Sequence, residues 1–280
     1  MLLQVKDLTV TAQLARSRQT LLEGVGFCVR SGEPLAIIGE SGSGKTMLAL
    51  ALLGLLPDNC EATGSAELCK SEDGSDIQAD AANIDLTRTK RIELIGMKDG
   101  KKNAMRGREI VYVPQSGGEF LNPALKIKSQ MFESLKKCGI KGKPRLYSAA
   151  QERLERADLD ACVLDSYPSE LSGGQAQRVT IALSLSPFAG LAIADEPTKG
   201  IDAQTAKLFE DGLKDFYPDA CVIVITHSLE LAAKCSSVLV LKDGRVMEYG
   251  SVKKVFNAPA SEYTARLIED MPRTDGEEYA

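Results

Sequence analysis

Short apolar runs recur along the chain, each bounded by polar or turn-forming residues. Leu35-Ala36-Ile37-Ile38, Ile110-Val111-Tyr112-Val113, Leu191-Ala192-Ile193-Ala194, Cys221-Val222-Ile223-Val224-Ile225 and Val238-Leu239-Val240-Leu241 show no polar alternation. Short aliphatic runs of this kind predict a parallel sheet buried on both faces. Leu2 to Val10 and Gly26 to Arg30 come closer to strand alternation, and Thr63 to Leu68 predicts a further short strand after a turn. Pro114 closes one apolar run, and Ser31-Gly32-Glu33-Pro34 turns into another. Asp243-Gly244 predicts a hairpin into Arg245 to Tyr249.

Helical patterning concentrates between residues 121 and 184. Ser148 to Ala157 combines a cap with i,i+4 charge pairing, and Ser172 to Leu185 forms a second candidate. Met47 to Leu53 predicts a helix that ends before Pro57, and Glu262 to Glu269 a short one in the tail. From 71 to 107 the chain turns polar and irregular, which predicts a surface insertion. No internal repeat is visible.

Composition narrows the partners. With 280 residues the chain can form one large domain or two smaller ones. A net charge of −5 disfavours a general nucleic-acid binder, so no nucleic acid is expected. The longest apolar run, Met47 to Leu56, is about half of the roughly 20 residues that a spanning helix needs. No basic-then-apolar signal sequence is expected at the start. The cysteines, 7 in all, are odd in number and scattered with no C-x-x-C pair, which is a reduced intracellular pattern. One histidine, His227, rules out a histidine-based metal cluster.

The chemistry starts at Gly39-Glu40-Ser41-Gly42-Ser43-Gly44-Lys45-Thr46, which fits G-x-x-x-x-G-K-[ST] between a predicted strand and a predicted helix. The glycines let successive N–H groups point into one concavity, and the helix N-terminus adds free donors. Lys45 can then reach the β- and γ-phosphates, and the Thr46 hydroxyl can ligate Mg²⁺. A glycine-rich turn without a ligand is the bland alternative. The strand–loop–helix context favours a nucleoside triphosphate.

Asp195-Glu196 closes the run 191–194. A carboxylate at the C-terminal end of a buried strand beside a phosphate loop is placed to hold Mg²⁺, and Glu196 can polarise an attacking water. Taken alone, the pair could equally cap the next helix. Leu171-Ser172-Gly173-Gly174-Gln175-Ala176-Gln177-Arg178 puts serine and two glycines before a helix. In isolation this reads as an ordinary serine N-cap. A second phosphate cradle has a use only if it faces another molecule's nucleotide.

With these segments in order, the chain resembles the nucleotide-binding subunit of an ATP-binding cassette (ABC) transporter. The matches are GESGSGKT at 39–46, Gln115 after a strand, LSGGQ at 171–175, LAIADEPT at 191–198, Asp202, and Thr226-His227. The resemblance implies an α/β fold: a P-loop NTPase (RecA-like) core with a mainly parallel sheet, an N-terminal antiparallel β subdomain and an inserted α-helical subdomain. It implies a nucleotide-binding domain over 1–250, with helices at about 121–184, the polar insertion at about 71–107 and a tail at 251–280. It also implies ATP and Mg²⁺ as cofactors, the metal held by Thr46, Gln115 and Asp195. Glu196, His227, Gln115 and Lys45 would act in hydrolysis. Ser172, Gly173, Gly174 and Gln175 would face the ATP of a second cassette, and Asp202 would cross the dimer interface.

Phe120-Leu121-Asn122-Pro123, Pro197 to Asp202 and Phe256 to Thr264 are similar to the peptide and nickel importer branch. That branch implies a second, different ATPase subunit, two permeases and an extracytoplasmic substrate-binding protein, with this chain peripheral at the cytoplasmic face of the membrane. Residues 11–18 (TAQLARSR) lack the aromatic on which family members usually stack adenine, and nothing after Cys235 could build an iron–sulfur site. A non-transport ABC ATPase of DNA repair or translation would bring a long coiled coil, paired cassettes or a basic surface, none of which is present. An ATP-binding clamp with little hydrolysis stays as the other alternative.

Overall fold

The computed structural model describes residues 1–15, 17–71, 89–115, 117–199 and 203–270. In chain order the first elements are β1 (Leu2–Gln13), β2 (Arg18–Arg30), β3 (Leu35–Ile38), α1 (Lys45–Leu53), β4 (Cys60–Ser71), β5 (Thr89–Glu93) and α2 (Asp99–Met105). Next come β6 (Ile110–Val113), α3 (Gly117–Phe120), α4 (Ile127–Lys137), α5 (Lys143–Arg156), α6 (Gly173–Ser184), β7 (Leu191–Asp195) and α7 (Ala203–Phe216). The chain continues with β8 (Cys221–Ile225), α8 (Leu229–Ala233), β9 (Ser237–Lys242), β10 (Arg245–Ser251), α9 (Val252–Asn257) and α10 (Glu262–Asp270). These elements form two compact units, Met1–Asn103 with Asp219–Ala280, and Ala104–Pro218.

The first unit holds an antiparallel sheet in the order β2-β1-β4-β5, and the strands β10-β9-β3-β8. In the second group β3 runs parallel to both β8 and β9, and β10 returns antiparallel to β9. Every residue of β3 and β8 is buried, as unbroken aliphatic runs require. The β9–β10 hairpin turns at Asp243 (φ 48°) and Gly244 (φ 77°), a consecutive left-handed pair that suits the twist of the flanking strands. The alternating N-terminal strands extend beyond the expected Thr63–Leu68. β4 runs from Cys60 to Ser71 because it pairs with β1 from Leu2↔Cys69 to Ala12↔Cys60. Of the polar stretch 71–107, residues 72–88 lie outside the described residues. The rest of it holds two regular elements: β5 pairs with β4 (Glu67↔Glu93 to Ser71↔Thr89), and α2 comes next.

The second unit pairs β6 and β7 in parallel, from Ile110↔Leu191 to Val113↔Ala194. Its other half is a helical core in which Ile127, Met131 and Leu135 of α4 meet Leu146, Ala150 and Leu154 of α5 and Val179 and Ala182 of α6. α5 starts at Lys143, earlier than the expected Ser148, because Pro144 has the fixed φ that suits a first helical turn. Buried Arg153 of α5 ties the three helices together. Its guanidinium donates to Ser134 Oγ at 2.9 Å, Cys138 Sγ at 3.4 Å and Leu183 O at 3.5 Å, and burial pulls its pKa below the ordinary arginine value.

Leu154 is fully enclosed by this helical core. Leu154→Ala should lower unfolding stability by about 2–5 kcal/mol through lost transfer energy and a residual cavity, read by denaturant melts of the full chain.

Candidate active site

The glycine loop connects buried β3 to α1, so its backbone is held from both ends. Gly39 is required by contact as well as by conformation. At φ 153° a Cβ there would lie 2.1 Å from Leu241 O of β9. Gly44 forms the N-cap of α1 at φ 104°, where a Cβ would meet Leu22 Cδ2 at 2.6 Å. The loop is therefore moulded against β9 and β2. Lys45 is buried, and its Nζ folds back to donate to Gly39 O at 2.7 Å and Glu40 O at 2.8 Å. Ser43 Oγ is buried without a hydrogen-bond partner among the described residues. An orphaned hydroxyl beside an ammonium and the first amides of a helix fits an anion such as a phosphate chain. Glu40, Ser41 and Thr46 are exposed around it.

His227 belongs to the same unit. The strand before it, β8, lies parallel to β3, and buried Thr226 donates its N–H to Ile37 O at 3.2 Å. Thr226 Oγ1 accepts from Ser228 N at 2.9 Å, and Ser228 in turn caps α8 by accepting from Leu231 N at 3.2 Å. These bonds fix the backbone on both sides of the histidine and leave its ring exposed.

The second unit carries Gln115, residues 172–175, Asp195 and Glu196. Gln115 comes just after β6, and the acidic pair falls at the end of the neighbouring β7. Asp195 and Glu196 are 3% and 7% exposed, so both carboxylates sit in a largely desolvated setting. Tyr112 of β6 donates its O–H to Asp195 Oδ2 at 3.4 Å. Burial, and then the Asp195 carboxylate, push the Tyr112 phenol well above its ordinary pKa, so it stays a donor. Glu196 takes a φ of 46°, a left-handed conformation that costs a non-glycine residue about 1–3 kcal/mol and clusters at functional sites. Ser172 caps α6 reciprocally with Gln175: its Oγ accepts from Gln175 N at 3.2 Å, and its own N–H donates to Gln175 Oε1 at 3.0 Å. Ser172 and Gly173 are exposed. Asp202 lies outside the described residues.

Two side chains without an assigned role in the sequence motifs prove to hold this machinery. Tyr263 of α10 accepts the Glu40 N–H at 3.3 Å, and Lys242 Nζ stands 4.5 Å above its ring. Gln177 of α6 is buried against the segments on both sides of Gln115 and after Glu196. Neither could be found from local pattern, because Tyr263 acts more than 200 residues from the loop it supports. Gln177 in turn reads as one more polar helix position until its neighbours are known.

A family model described as ABC transporter matches residues 22–199. The oligopeptide transport ATP-binding protein OppD of Escherichia coli (strain K12) is 34% identical over 99% of this chain and 77% of its own length. The metal-staphylopine import system ATP-binding protein CntD of Staphylococcus aureus is 32% identical over 95% of this chain and 92% of its own. Among solved structures, a dimeric ATP-binding cassette in a post-hydrolysis state, bound to ADP and Pi, superposes with a TM-score of 0.72 at 25% identity. That match covers 89% of this chain and 98% of the cassette.

Gly39→Ala should abolish triphosphate binding, because the new Cβ meets backbone that cannot withdraw. Tyr263→Phe, which loses one hydrogen bond worth about 1 kcal/mol, should raise the Kd for ATP several-fold. Titration calorimetry on the full chain checks both.

Proposed function

The chain belongs to the ABC transporter family, and on that premise we propose that it powers an importer, hydrolysing ATP to drive uptake of peptides, nickel or metal chelates through partner permeases. The names of OppD and CntD support the peptide and metal-chelate classes. No helix among the described residues is long and apolar enough to cross a membrane; the proposal assigns the membrane path to the partner permeases. We place this chain at the cytoplasmic face, with a second ATPase subunit, two permeases and an extracytoplasmic binding protein.

The observation that carries a shared site is Gly173. It opens α6 directly after the Ser172 cap, and a Cβ there would meet nothing within 4 Å among the described residues. The described residues give no reason for a glycine at that exposed position. Close approach by a nucleotide held on a second cassette does. Ser172, Gly173, Gly174 and Gln175 then offer a capped helix start to its γ-phosphate. Asp202 is assigned to the dimer interface.

Within the chain, Gly39 to Thr46 would wrap the phosphates, with Lys45 exchanging its loop carbonyls for phosphate oxygens and Ser43 Oγ gaining a partner. Thr46, Gln115 and Asp195 offer the hard oxygen donors that Mg²⁺ takes. The metal, when bound, would neutralise charge on the β- and γ-phosphates. Glu196 would accept the proton of the attacking water, its desolvated carboxylate fixed by the turn at φ 46°. His227, exposed after β8, would bind the γ-phosphate. Positioning and charge stabilisation dominate such transfers.

Glu196→Gln should leave ATP binding intact while turnover falls about a hundredfold or more. Near-normal hydrolysis by the assembled transporter would remove Glu196 from the role of base. Gly173→Ala should fold at least as stably as the parent and bind ATP on its own loop, but turn over poorly once paired. Full activity of that variant in the assembled transporter would exclude the shared site.

A further inference from the structure

Gln177 sits on the first turns of α6 at 1% exposure, and every polar atom of its amide is engaged with main chain. Oε1 accepts from Gly117 N at 2.7 Å. Nε2 donates to Pro114 O at 3.3 Å and to Pro197 O at 3.1 Å. Pro114 and Gly117 flank Gln115, and Pro197 comes directly after Glu196. One buried amide therefore binds the backbone on both sides of the glutamine segment and immediately after the candidate base. It does so from the helix whose start is Ser172.

The packing around this amide leaves little freedom. A Cβ at Gly117 would stand 2.7 Å from Gln177 Cα and 2.8 Å from Ala176 O, so the segment after Gln115 lies directly on α6. Thr180 Oγ1, one turn further on, also reaches Gly117 O at 3.2 Å. Beyond Pro197, Lys199 N donates to Glu196 O at 3.1 Å and closes the turn that holds the strained glutamate. Helix packing alone would be served by an apolar side chain here, but no apolar side chain could satisfy the groups that Gln177 meets. A leucine would leave a buried N–H and two carbonyls short of partners, each costing more than the bond it once made.

We infer that Gln177 is a positioning residue which makes the Ser172 end of α6, the Gln115 segment and the Glu196 turn move as one body, so that contact of Ser172 with a partner's nucleotide sets the geometry of the base. The inference rests on the proposed ATPase reading for its catalytic consequence, and on the geometry alone for the mechanical coupling. Loss of the amide would let the Glu196 turn relax independently of α6. A displacement of about 1 Å at a reacting group costs on the order of a hundredfold in rate. Binding of ATP to residues 39–46 involves none of these bonds.

The test uses the assembled transporter, with this chain at full length carrying Gln177→Leu, which removes every bond, or Gln177→Glu, which keeps the acceptor for Gly117 N but loses both donors. ATP turnover, equilibrium ATP binding, thermal melting and amide hydrogen exchange are measured on each. The expected result is a kcat lowered about tenfold to a hundredfold, with the Kd for ATP within about twofold of the parent. In Gln177→Leu the amides of both Gly117 and Lys199 should exchange at least about tenfold faster, since Gly117 N loses its acceptor and the turn that Lys199 N closes loses its anchor at Pro197 O. Unchanged kcat in both variants would overturn the inference. So would kcat and ATP binding falling together in step with lost folded protein, or faster exchange at Gly117 without any change at Lys199. If the assembled parent itself shows no turnover, the ATPase reading fails separately, and the exchange at Gly117 and Lys199 still decides the coupling.

Discussion

A strand buried on both faces has no place for a polar side chain except at its ends, and that constraint organises this protein. β3, β7 and β8 are buried along their whole length, and β6 nearly so. The chain leaving each of them is polar and chemically pointed: the glycine loop after β3, Gln115 after β6, the acidic pair completing β7, and Thr226-His227 after β8. Because the strands are parallel within each unit, their polar ends lie on the same side. Burial of aliphatic side chains thus collects the reactive ones, which is why ligands bind at the carboxyl ends of such strands.

Holding those loops takes more than strand ends. The phosphate loop leans on Leu241 so closely that its first residue has to be glycine, and it borrows a tyrosine hydroxyl from the C-terminal helix for one of its amides. In the other unit a single buried amide serves the loops on both sides of α6. The strain stored at Glu196 persists because the turn around it is over-determined in this way. Rigidity comes from side chains bonding main chain across sequence distance, while Ser172 and His227 stay exposed.

Much of the site was legible from residue order alone, because its groups must fall in a fixed sequence along the chain. Gly39 to Thr46 lies between a strand and a helix, and both are present as the spacing required. The Asp243-Gly244 hairpin and the Ser172 cap likewise came from local chemistry. Local chemistry misled where a neighbour decided the outcome. α5 began at Lys143 for a local reason, since Pro144 suits a first turn better than Ser148, whereas β4 outgrew its own apolar pattern because β1 offered a pairing partner along its length. The polar stretch beyond Thr89 gained a strand for the same reason: an unpaired edge of β4 was available.

The sequence by itself determined the fold class, the phosphate loop, the acidic pair and the family, since each depends on residue type at short fixed spacing. The tertiary structure alone decided that Ser43 Oγ is left without a partner among the described residues, that Glu196 sits in a left-handed turn, and that no described residue crowds Gly173. It alone gave Tyr263 and Gln177 their roles. Those facts are distances between backbones far apart in sequence, and no local periodicity encodes them. The chemical groups were written in order along the chain, whereas the contacts that aim them arose only when the strands and helices packed.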